Sequence, residues 1–189
     1  MNSIPSEPDQ RRHAAFHEAA HAVLGYYFGW WLNEEGVEID TRQYTGLRCE
    51  QRTWTERASV CVSLAGWGAE MRLAPDLARP FPDEELLACL EDLRWWGHSD
   101  LQGDEADVFE RLMETRPDAS DEDLIALYRG YEAETAALLA RPAVWASIQG
   151  VAEALLERGR LTDAEVVEVL GADVEDGAFA EQPASAATP

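Results

Sequence analysis

Lysine is absent. All 15 basic residues of this 189-residue chain are arginine, set against 37 aspartates and glutamates, for a formal net charge of −22. So little positive charge leaves nothing to displace the counterions of a nucleic acid, and anionic membrane surfaces repel such a chain; neither is expected as a partner. The same absence rules out a G-x-x-x-x-G-K-[ST] phosphate loop, which needs its lysine. Cysteine is scarce as well. Cys49, Cys61 and Cys89 form no C-x-x-C pair, and an odd, sparse set suits a reducing compartment. Cys61 and Cys89 have apolar neighbours and read as core. Long hydrophobic runs are missing. The longest, Ala22 to Leu32, has 11 residues, where a bilayer span takes about 20. The opening MNSIPSEPDQRR has no apolar signal core. A soluble, cytoplasmic protein is expected.

What is present is a foldable chain. Hydrophobic residues make up 46%, enough to fill the core of one domain. Residues 1–9 are polar with two prolines and read as a flexible arm, residues 10–170 as the folded domain, and residues 171–189 as a disordered acidic, Ala- and Pro-rich tail. From Gln10 to Phe28, Phe16, Ala20, Val23, Leu24 and Tyr27 recur at helical spacing. GVEID and GLRCEQRTW have strand character, with a turn near TRQYTG; Val37 and Ile39 alternate with polar neighbours, so one face is expected to be buried. TWTERASVCVSLAGWGAEMRLA reads as one helix opened by a Thr53–Glu56 capping box. PDLARPFP is a loop, DEELLACLEDLRWW a short helix, and GHSDLQGDEADVFERLMET another with Ser99 as its cap. Residues 121–158 are helical with a break near Arg141-Pro142, and LTDAEVVEVLG is a last helix capped by Thr162 with Glu165. The fold class is mainly α with a small β-sheet. The tryptophan pairs Trp30-Trp31 and Trp95-Trp96 read as core and edge packing, with a subunit interface as the alternative.

The chemistry concentrates in FHEAAHAVLGYYFG, residues 16–29. Residues four apart on a helix share a face, so His17 and His21 can offer two imidazoles to one metal ion. Zinc takes such nitrogens and, when catalytic, wants three protein ligands. Glu18 stands where the general base of an H-E-x-x-H site stands. The bland alternative is a core helix whose histidines are satisfied by hydrogen bonds. Against it stands the glutamate, costly to bury unpaired in an apolar helix. A third ligand must come from elsewhere, because no histidine follows His21 by six residues. His13, His98, Glu70 in GWGAEM and Asp100 in GHSDLQGDEADV are the candidates, with His13 reading as a surface residue of the first turn.

AFHEAAHAVLG resembles the opening of the peptidase domain of the FtsH family, the ATP-dependent zinc proteases of bacteria and organelles. VSLAGWGAEMRLAP is similar to that family's second helix, HSDLQGDEADVFERLM to its third-ligand helix, and GVAEALLERGRLTDAEVVEVL to its C-terminal helix pair, all in order between about residues 10 and 170. The resemblance implies a zinc-metallopeptidase fold in which His17, His21 and Asp100 hold Zn2+, Glu18 is the general base, and Glu70 is a supporting carboxylate or the alternative third ligand. Asp100 also follows the Ser99 cap, where the positive end of a helix keeps a carboxylate ionised.

The implied reaction is hydrolysis of a peptide bond in an unfolded or loosely folded polypeptide, with Glu18 moving the proton. The strand region 37–52 is expected to pair with extended substrate by edge addition. The family joins this domain to a membrane anchor and an ATPase ring, and neither is found here; a homo-oligomer or a separate ATPase is the partner the resemblance suggests. The family's glycine in H-E-x-G-H is Ala20 here, and the segment after the third-ligand helix is shortened. The alternative function is a non-catalytic zinc-binding interaction module that keeps the fold.

Overall fold

A computed structural model describes residues 7–39, 47–48, 54–76, 78–97 and 103–171. The architecture is mainly helical with short antiparallel strand pairs, as the pattern predicts. Helix α1 (Glu7–Tyr27) runs through the centre. Ala15, Ala19, Ala20 and Ala22 are fully buried along it. Such small side chains let two neighbours approach, α3 (Ala65–Leu73) and α7 (Pro142–Arg158). It starts three residues before the expected Gln10, inside the stretch read as an arm. Residues 1–6 and 172–189, with the rest of the expected arm and the tail, lie outside the described residues.

Two two-residue ladders replace the single sheet. Strand β1 (Trp31–Leu32) pairs with β3 (Leu47–Arg48), and β2 (Val37–Glu38) pairs with β4 (Arg160–Leu161), which sequence patterning did not reveal. Val37 and Ile39 are buried as their alternation predicts. Much of the 37–52 strand region, with Cys49, lies outside the described residues.

The long helix expected after Thr53 is two helices. They are α2 (Glu56–Ser63) and α3, meeting at Leu64, which caps both. The cap is Thr55, whose hydroxyl accepts from the Ala58 N–H at 3.0 Å; Thr53 lies outside the described residues. Helix α4 (Asp83–Trp96) follows the proline loop. Helix α5 (Asp104–Thr115) opens at Gly103, later than the expected Ser99 cap, which falls in undescribed residues 98–102. Helix α6 (Asp121–Leu139) ends before the Arg141-Pro142 break, and Pro142 opens α7 at a position needing no N–H donor. Helix α8 (Asp163–Leu170) carries the expected Thr162–Glu165 capping box.

The core has two clusters. One surrounds α1 and takes side chains from α3, α7 and α8; the other joins α2, α4, α5 and α6 around Phe109 and Tyr128, stacked at 5.2 Å. Cys61 and Cys89 are buried, as expected. Packing of the tryptophan pairs divides: Trp30 packs against the core, whereas Trp95 and Trp96 lie outside it.

Candidate metal centre

The centre forms where α1, α3 and α5 meet. His17 and His21 stand one turn apart on α1, rings 4.7 Å apart and nearly edge to face. Each ring is held by its Nδ1. His17 Nδ1–H donates to Glu70 Oε1 on α3 at 2.7 Å, and His21 Nδ1–H donates to the Val62 carbonyl in the last turn of α2, also at 2.7 Å. A carbonyl only accepts, so it fixes the proton on His21 Nδ1. A carboxylate does the same for His17. Both Nε2 atoms are thereby turned to one point.

Asp104 occupies the third side of that point. Its Oδ2 is 3.1 Å from His17 Nε2 and 3.1 Å from His21 Nε2. A tetrahedral zinc with ligands at 2.0–2.1 Å sets neighbouring donors about 3.3 Å apart. Two imidazole nitrogens and one carboxylate oxygen, all within 4.8 Å of one another, fit that ion. Among the described residues no other trio of metal-ligating side chains is so placed. Asp104 is the first residue of α5, where the helix's partial positive charge keeps a carboxylate ionised.

The electrostatics follow from crowding. Burial alone lowers the basicity of His17, but the Asp104 and Glu70 carboxylates outweigh it and raise the ring to about 10. His21 is buried too and is likewise raised, chiefly by the charge of Asp104. Burial pushes Asp104 up, yet the two imidazoles hold it well below the usual carboxylate range. Glu105 next to it is pushed up by burial. A metal held by both Nε2 atoms must displace any proton they carry, so its binding is expected to weaken as pH falls. Glu18 adds a further acidic side chain near His21.

The expected residues separate into three groups. His17, Glu18 and His21 stand together; Glu18 is half-buried and close enough to act electrostatically on His21. Glu70 touches His17 through the nitrogen opposite the one that faces Asp104, with His13 Nδ1 at 3.7 Å from its other oxygen. Asp100 and His98 lie outside the described residues, and the carboxylate found against the histidines is Asp104. The sequence held a signal for it. The apolar positions Val108, Phe109 and Leu112 follow Asp104 at helical spacing, with a glycine immediately before it. The Val62 carbonyl and Gly66, whose added Cβ would lie 2.5 Å from both Nε2 atoms, left no such mark. The chain matches no protein-family model and no curated protein sequence.

Proposed function

We propose that this chain is a zinc metalloendopeptidase of the kind its resemblance to FtsH peptidase domains implies, with His17, His21 and Asp104 as ligands. One observation carries the reading: both Nδ1 atoms are engaged by acceptors, so both Nε2 atoms converge with Asp104 Oδ2 at 3.1 Å. Two imidazole nitrogens and one carboxylate oxygen at this spacing match the donors of a tetrahedral zinc. Bound zinc supplies Lewis acidity, polarising a carbonyl and acidifying water. The residues do the rest. Glu70 keeps His17 in one tautomer and orientation. Glu18 accepts the proton of the attacking water and returns it to the leaving amine. A structural zinc site has no use for Glu18, which favours catalysis over the non-catalytic zinc module. The substrate is unfolded or loosely folded polypeptide, met in a cytoplasmic setting, with the chain acting alone, as a homo-oligomer or beside a separate ATPase.

Zinc content and cleavage of casein, with Glu18→Gln as control, test this. The expected result is one zinc per chain in both proteins, with cleavage reduced about a hundredfold or more in the variant. Equal residual cleavage in both would leave a zinc-binding module, and a protein without zinc would sink both readings.

A further inference from the structure

Helix α4 already has a complete core face in Leu86, Cys89, Leu90 and Leu93. Trp95 and Trp96 follow it off that face, 81% and 72% exposed. Tryptophan is on average a well-buried residue, and neighbouring exposed indoles mark places where something docks. Their position is fixed by Arg94, whose guanidinium lies 2.7 Å from Asp121 Oδ1 and 3.3 Å from the Ala119 carbonyl. This contact brings the end of α4, which carries the pair, near the start of α6, a short turn after α5 ends at Thr115. Asp104 is at the other end of α5. Eleven steps of 1.5 Å put the two ends about 16 Å apart, which an extended chain covers in about five residues.

The surroundings select the occupant. Glu91 and Asp92 lie one turn before the tryptophans, and Asp121 and Glu122 open α6, which Arg94 reaches from the same end of α4. The nearby arginines are committed, Arg94 to Asp121 and Arg116 to Glu56. A second copy would bring acid against acid in a chain of net charge −22, and an anionic membrane would be repelled in the same way. A chain carrying arginine or lysine beside apolar residues meets both features. Its cations lie over the indole faces and offset the carboxylates, and its apolar groups cover the rings.

We infer that Trp95 and Trp96 form a docking exosite for basic, apolar stretches of unfolded polypeptide, one helix length from the metal centre. The inference rests on the peptidase reading for its purpose, though the binding itself does not need catalysis.

The test uses zinc-loaded Glu18→Gln protein and a fluorescein-labelled, unstructured arginine/leucine/glycine peptide, read by fluorescence anisotropy. Binding is expected, weakened by added salt and by at least about tenfold in the Trp95→Ser/Trp96→Ser variant of that protein, with its circular dichroism unchanged. A glutamate/leucine/glycine peptide is expected to bind at least as much more weakly. No binding, or equal binding by the double variant, overturns the exosite. So does a dimer in sedimentation velocity that the double variant dissociates, since the tryptophans would then hold a second copy. Peptide binding through the tryptophans, with no casein cleavage by the wild-type protein, would keep the exosite and lose the peptidase.

Discussion

Gly66 shows how little room the centre has. A methyl group there would come within 2.5 Å of Nε2 on both His17 and His21. The rings cannot step aside, because Glu70 and the Val62 carbonyl hold each by its far nitrogen. Gly66→Ala is therefore expected to lower zinc affinity about 10- to 100-fold or more, with about 1–3 kcal/mol lost from overpacking. Competition against a chromophoric chelator, with thermal melts, reads both; unchanged zinc affinity would mean that the ion binds elsewhere. The contrast between Gly66 and His17 also shows what a sequence carries. Two histidines and a glutamate at helical spacing announce their chemistry, because side-chain type and period are both written in the chain. A backbone carbonyl that fixes a tautomer, or a glycine required by another helix's imidazoles, depends on which segments meet. Nothing local encodes that.

Helix boundaries decide which carboxylate reaches the histidines. Some helix starts were legible, as the Thr162–Glu165 box opens α8 and Pro142 opens α7, whereas α2 is capped by Thr55 and not by the expected Thr53. The start of α5 was not, because it is made by backbone. Gly103 has φ +121° and ψ −154°, a conformation essentially confined to glycine. The FtsH resemblance points to Asp100, and the more familiar Ser99 cap supports it, so Asp104 does not stand out in the sequence. The break at Leu64 was hidden for a related reason: the residues around it, SLAGWGA, suit a continuous helix as well as an interrupted one. Gly103→Ala forces this turn to open, at a cost of about 1–3 kcal/mol, and moves Asp104 away from the imidazoles. Zinc affinity is expected to fall although every ligand remains. A variant that melts lower yet binds zinc as tightly as the parent would show that the turn holds the helix and not the ligand.

At the scale of the molecule, the centre joins the two core clusters. His17 and His21 project from α1, on which one cluster is built, while Asp104 begins a helix packed mainly on α2 in the other. Both Nε2 atoms lie 3.1 Å from Asp104 Oδ2 across this seam; an ion ligated by all three side chains would tie the halves more firmly. Such long-range pairing escapes sequence patterning, which predicts each helix's apolar face but not the face opposite it. Zinc that binds only the folded chain stabilises it by about 2.7 kcal/mol at a hundredfold excess over its dissociation constant. At about 2–4 °C per kcal/mol for a domain of this size, the melting temperature is expected to rise by about 5–10 °C and to fall back on chelation. Asp104→Asn and His21→Gln should lose that rise, because each removes one side of the trio. Asp100→Asn should keep it. Calorimetric melts with zinc and with chelator decide the matter. A full rise in Asp104→Asn would move the ion away from the seam, and loss of the rise in Asp100→Asn would return the third-ligand role to Asp100.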